Sequence, residues 1–200
     1  MVALFRDQTS EALEDWPEDE ERALAVRARI DPGSFGQLYD HYVDRIYAYC
    51  YRRLQTREAA EDATSDTFVK AMAAIAGFRP EAGSFRAWLF TIAHRVVIDA
   101  WRGSRPHASL DGIGEIPELA AGPEHLAIAR EATRDVYALV ALLPEDQATV
   151  VHLRLAGLTD REIAEVLGRS HGAIRIAQHR AIKRLQALAT AGADTARTQR

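Results

Sequence analysis

The stretch LTDREIAEVLGRSHGAIRIAQHRAIKRL, Leu158–Leu185, decides how this sequence is read. Thr159-Asp-Arg-Glu162 is a capping box, in which the threonine oxygen accepts a first-turn N–H and the glutamate reaches back to the cap, so a helix starts there. Its apolar positions, Ile163, Ala164 and Leu167, end at Gly168, a residue suited to the left-handed conformation that stops a helix. Ser170 then caps a second helix, on which Ile174, Ala177, Ala181 and Leu185 fall at core spacing. Two short helices joined by a tight Gly-containing turn form the helix-turn-helix pattern. Between Gly168 and Leu188 stand Arg169, Arg175, Arg180, Lys183 and Arg184 with no acid, a bias that an ordinary helical hairpin does not need. Arg175 and His179 occupy the turns of a recognition helix that face base edges, beside His171 and Gly172 in the first turn. Arg169, Arg180 and Arg184 are placed to hold phosphates, while Lys183 follows Arg175 and His179 at four-residue steps on their face and completes, with the cap Ser170, the DNA-binding set.

Upstream, the periodicity is helical throughout. Residues 123–143 read as a helix begun by Pro123, Pro144 breaks it, and Ala148, Val151, Leu153 and Leu155 lie on a further helix ended by Gly157. Residues 104–122 show no sustained period and read as a flexible linker. Before it, Asp31-Pro-Gly-Ser34 caps a helix striped with Phe35, Leu38, Tyr39, Tyr42, Ile46, Cys50 and Leu54. A second helix runs from about Arg57 to Ala76, with Ala60, Ala63, Thr67, Met72 and Ile75 near one face and Gly77 at its end. A third carries Phe85, Trp88, Leu89, Ile92, Ala93, Val96 and Ala100. The tyrosine spacing and Cys50 fit packing. No strand pattern appears, so the fold is all-α: two small helical domains, 32–103 and 123–188, joined by the 104–122 linker. An acidic extension, 1–31, is disordered or at most a short helix, and 189–200 is a tail with nothing to bury.

Composition narrows the function. Of 200 residues, 48% are hydrophobic and 27% charged, which is globular, and the net charge of −4 argues against coating nucleic acid by bulk charge. Charge is instead segregated: residues 1–31 carry nine acids against four arginines, whereas Arg79–Arg105 holds five arginines against Glu81 and Asp99. Two separate basic segments on an acidic chain imply two places that meet phosphate. One cysteine, no secretory pattern and no apolar run near the roughly 20 residues of a membrane span point to the cytoplasm. The histidines are scattered without metal spacing, so no metal, cofactor or catalysis is expected.

Three segments, FGQLYDHYVDRIYAYCYRRL (Phe35–Leu54), REAAEDATSDTFVKA (Arg57–Ala71) and FRPEAGSFRAWLFTIAHRVVIDAWR (Phe78–Arg102), resemble the polymerase-binding and promoter-melting domain of extracytoplasmic-function sigma factors. Leu143–Leu185 is similar to their second domain, in the family's order and covering, with the first, about 110 residues of the chain. The resemblance implies a dissociable, non-catalytic subunit that binds the largest-subunit clamp helices and the flap of core RNA polymerase, together with promoter DNA and an inhibitory anti-sigma partner. It assigns Asp62, Asp66, Thr67 and Phe68 to the polymerase, as acids beside an exposed aromatic. Capture and melting of the −10 element fall to Phe78, Arg79, Ser84, Phe85, Arg86, His94, Arg95, Trp101 and Arg102, and reading of the −35 element to the second domain. Two departures, His94-Arg95 where the family often has Asn and IRIAQHRA in the recognition helix, keep the promoter sequence from carrying over. The competing reading is a stand-alone helix-turn-helix regulator whose first domain binds a ligand or dimerises.

Overall fold

Local capping chemistry lays out the helices. The computed structural model describes residues 16–103 and 138–198, with side chains through residue 190. Helix α1 spans Glu18–Arg27 and α2 spans Pro32–Leu54; the Asp31 carboxylate opens α2 by accepting from the N–H groups of Gly33 at 3.1 Å and Ser34 at 2.9 Å. Helix α3, Arg57–Ala74, is capped by Thr56 and runs into a 3₁₀ turn at Ile75–Gly77; α4 covers Phe85–Gly103, with Ser84 Oγ accepting from the Ala87 N–H. In the second half, residues 138–141 are helical, followed by α5 (Glu145–Leu155), α6 (Asp160–Leu167) and α7 (His171–Thr198). Among the described residues there is no strand, and the fold is all-α. The 104–122 linker and the helix start at Pro123 lie outside the described residues.

The two halves share one core. Leu38, Tyr42, Ile46, Tyr49 and Cys50 of α2 meet Ala60, Ala63 and Ala71 of α3 and Phe85, Leu89, Phe90 and Val97 of α4. The same apolar cluster continues into Leu153, Leu158, Ile163, Val166 and Ile174 of the second half. A smaller cluster, Val140, Leu143, Ala148, Val151, Ala181 and Leu185, closes α5 against α7. Most tyrosines pack as their spacing predicts, with Tyr39 exposed as the exception, and Trp88 lies half-buried against Phe78 and Phe85. Burial pushes the Cys50 thiol up to about 12.

Two segments carry more structure than their sequence patterns announce. The acidic extension is in part structural: Leu24, Ala25 and Ala28 of its helical segment enter the core, and the buried Glu21 carboxylate accepts a hydrogen bond from the Tyr42 hydroxyl. Three apolar positions inside a charged run give too short a stripe for periodicity to register. At the other end, the 189–200 tail continues α7 as far as Thr198.

Two histidines are held neutral inside this core. Burial, with help from the Arg53 charge, pulls His152 down to about 3 and His94, which pairs with the Tyr49 hydroxyl at 2.9 Å, down to about 4. In the unfolded chain both regain the ordinary 6.5. Above 6.5 neither state binds the proton and their contribution is fully present; below it only the unfolded chain takes protons up, so stability declines as pH falls from 6.5 toward 4. Urea unfolding should show a lower midpoint at pH 5 than at pH 7.5, and His152→Gln should flatten that dependence. An equally steep slope in the variant would contradict the assignment.

Candidate nucleic-acid interface

Helix α7 separates its faces cleanly. Ile174, Ala177, Ala181 and Leu185 are buried, and Arg175, His179, Arg180, Lys183 and Arg184 are exposed on the other side, as are Arg169, Ser170, His171 and Gly172 at its start. The expected capping box is present, Gly168 ends α6 at φ 60°, and Ser170 Oγ accepts from the Ala173 N–H at 3.2 Å. Two acids flank the turn on the α6 side: Asp160, which pairs with Arg154 and stands 3.9 Å from His171 Nε2, and Glu165, beside Arg161. Between Arg169 and Arg184 the exposed surface carries Arg169, Arg175, Arg180, Lys183 and Arg184 and no acid, a basic ridge with the geometry to lie along a phosphate-lined groove.

The first half's basic segment is arranged differently from its sequence reading. Phe78 and Phe85, expected as stacking aromatics, are buried and contact each other edge-on at 5.7 Å, with Tyr42 and Trp88 around them. They are part of the core because α4 rotates its Phe85, Leu89 and Ala93 stripe inward. His94 is half-buried against Tyr49. Arg79, Arg95 and Arg102 are exposed, and Trp101, 37% exposed, stacks under the Arg53 guanidinium at 4.3 Å while its Nε1 donates to the Arg53 carbonyl. Ser84 and Arg86 face the second half of the chain.

On α3, Asp62 and Asp66 are exposed one turn apart. Thr67 and Phe68 are not beside them on the surface. Thr67 is buried with its hydroxyl donating to the Ala63 carbonyl, and Phe68, expected exposed, packs edge-on against Tyr39 at 4.6 Å. Val69, 65% exposed, extends the same row at i, i+4, i+7, and Met72, expected on the packed face, is 56% exposed beside it. This pairing of acids with bare aliphatic surface suits a protein partner, and sequence reasoning missed Val69. Its signal was the spacing of seven from Asp62, which puts it on the acids' face of α3.

Comparison with known proteins settles the family. Residues 38–106 match Sigma-70 region 2 and residues 133–185 match Sigma-70, region 4. Over 177 residues the sequence is 35% identical to the ECF RNA polymerase sigma factor BldN of Streptomyces coelicolor, spanning 85% of this chain and 67% of that one. The chain belongs to the ECF RNA polymerase sigma factors. ShbA of Streptomyces griseus, another member, is 36% identical over 179 residues, covering 84% of this chain and 94% of its own length. Among solved structures, that of CnrH in complex with the cytosolic domain of CnrY superposes with a TM-score of 0.66 at 27% identity, covering 86% and 97% of the two chains. As an ECF sigma factor the protein directs transcription initiation. The stand-alone regulator reading falls, because a region 2 match fills the half it assigned to a ligand or dimer module.

In this sigma factor the segment expected to take the −10 element touches the helix-turn-helix. Ser84 Oγ donates to Glu162 Oε1 at 2.7 Å, Arg86 reaches the Gly157 carbonyl at 3.3 Å, and its Nε lies 3.9 Å from the same glutamate. A Cβ on Gly83 would sit 2.7 Å from Glu165 Oε2, so the loop approaches α6 as closely as a glycine allows. A third tie pairs Arg53, at the end of α2, with Glu145 at the start of α5. Glu162→Gln retains a side chain able to close the capping box but removes the charge opposite Arg86. Hydrogen exchange should accelerate at residues 79–87 in that variant while α6 stays protected. Unchanged exchange in the loop would mean that the charge does not hold it.

Proposed function

We propose that this sigma factor works in the cytoplasm as a non-catalytic subunit whose two halves divide the promoter between them. In this reading Asp62, Asp66, Val69 and Met72 meet the clamp helices of the largest polymerase subunit, the Arg79–Arg102 segment takes the −10 element, and α7 reads the −35 element. The observation that carries it is the basic ridge between Arg169 and Arg184, which holds no acid, set on a chain of net charge −4: a binder that depends on polymerase to bring it to DNA needs local rather than overall positive charge. Among the described residues no helix is long and apolar enough to cross a membrane. CnrH is solved with the cytosolic domain of CnrY, and a sigma factor of Bartonella quintana with an anti-sigma factor; an anti-sigma partner for this chain follows by analogy.

Promoter binding on this reading requires the halves to part. Elements at −10 and −35 are about 25 base pairs apart, or about 85 Å along B-DNA, whereas α7 itself is about 42 Å long. A loop and a helix-turn-helix joined through Ser84 and Glu162 cannot occupy both elements at once.

Run-off transcription with bacterial core polymerase tests the whole reading: the protein should direct initiation at promoters that core alone ignores. Specific DNA binding without any stimulation would count against it. Reversing Asp62 and Asp66 to Lys should weaken co-purification with core enzyme while the fold survives, through like-charge juxtaposition worth several kcal/mol. Undiminished recovery would move the contact elsewhere.

Readers and anchors on α7 separate by their response to sequence and salt. Measured as holoenzyme, Arg175→Ala should cost on the order of 1–3 kcal/mol and relax preference at one upstream base pair. Arg184→Ala should weaken all promoters about equally and lower the salt slope by about one counterion. The reverse pattern would exchange their roles.

A further inference from the structure

Two residues on the basic ridge of α7 have no explanation in the fold. Ile176 is 54% exposed; the other exposed large hydrophobics among the described residues, Val26, Ile30, Tyr39, Val69, Met72, Trp101 and Leu142, all lie elsewhere. Its helix neighbours toward the C-terminus are His179 and Arg180, and Arg175 precedes it, so it stands inside the polar ridge rather than at the edge of the core. One turn back, at i−4, is Gly172. A Cβ built on Gly172 meets nothing within 4 Å, and its backbone is ordinary helix, so neither packing nor a left-handed conformation calls for glycine. Glycine also has a lower helix propensity than alanine, so nothing in the helix itself favours it there. An exposed β-branched aliphatic and a glycine that packing does not require thus stand one turn apart on one face of one helix, so that a group approaching the bare backbone at 172 would meet the Ile176 side chain as the wall of an apolar notch.

We infer that this notch reads the C5 methyl of one thymine in the upstream promoter element. The inference rests on the proposed docking of α7 in the major groove. There the base edges present donors and acceptors plus one apolar group, the thymine methyl, and aliphatic side chains are the groups that contact it. Glycine admits the backbone closer to a ligand than any other residue. The surrounding Arg169, Arg175, Arg180 and Arg184 are complementary to phosphates on either side, so the occupant of the notch is a base of the same duplex. Arg175, with its guanidinium one residue away, is then free to read the adjoining pair by hydrogen bonds.

Deoxyuridine differs from thymidine by that methyl alone, which makes the test chemical. On a promoter identified by run-off transcription, each upstream thymine on either strand is replaced singly by deoxyuridine and holoenzyme binding is measured for wild type, Ile176→Ser and Ile176→Val. Wild type should lose about three- to fourfold at one position, the value of burying one methyl-sized group. Ile176→Ser should bind the thymine and uracil promoters equally, and Ile176→Val should keep most of the discrimination. A wild type indifferent to every deoxyuridine, or a penalty that persists in Ile176→Ser, overturns the inference. Arg184→Ala on the same promoters separates the two levels. If it weakens binding while all uracil positions are silent, only the notch is wrong; if it changes nothing, α7 is not on the DNA and the docking falls with it.

Discussion

The Glu162 carboxylate holds the two halves of this molecule in register. Within its own helix it closes the capping box on Thr159, satisfying the cap N–H at 2.8 Å. Across the interface it accepts the Ser84 hydroxyl and faces Arg86, whose side chain and its own are each only 12% exposed. At 3.9 Å the ion pair is too loose to set geometry, and the 2.7 Å hydrogen bond does so instead. Ser84 is itself the cap of α4, so the starts of two helices meet at one side chain. Behind that contact the apolar core runs on from Phe85 and Leu89 into Leu158 and Ile163.

Arg86 also links the interface to the N-terminal helix. Its guanidinium lies beside the Tyr42 hydroxyl, which donates to the buried Glu21 carboxylate. Burial first, then the Glu21 charge, raises the Tyr42 pKa well above the ordinary tyrosine range, so the phenol remains a hydrogen-bond donor. A polar chain from Glu21 through Tyr42 and Arg86 to Glu162 thus threads four helices, α1, α2, α4 and α6. Such a chain is tolerable inside an apolar core because each member has a partner, and removing one would leave its neighbours desolvated and unmet.

Helix limits and caps were legible in the sequence because they depend on residues close together: Asp31, Thr159 with Glu162, Gly168 and Ser170 all act as their spacing predicts. The α7 faces were legible for the same reason. What escaped is set at long range. Phe68, Phe78 and Phe85 carry the chemistry of contact residues, and their burial is decided by which helix crosses over them. Ser84 and Arg86 face Glu162 across 78 and 76 positions of sequence, beyond any local period. Glu21 is an acid inside an acidic run, and only the Tyr42 hydroxyl makes it an interior residue. Ile176 could have been singled out by its phase: it lies one residue from the buried Ala177 and two from Ile174, off the stripe.

Cys50 brings an unintended convenience. It is the sole cysteine of the sequence, fully enclosed, with its thiol pushed to about 12 by burial. At neutral pH the reactive thiolate is therefore a vanishing fraction, and the sulfur is shielded from reagents as well as from oxidants. The native protein is chemically blank toward maleimides and iodoacetamides. A cysteine introduced anywhere on its surface would be the one site that takes up a fluorophore or spin probe, with no need to mutate the natural one.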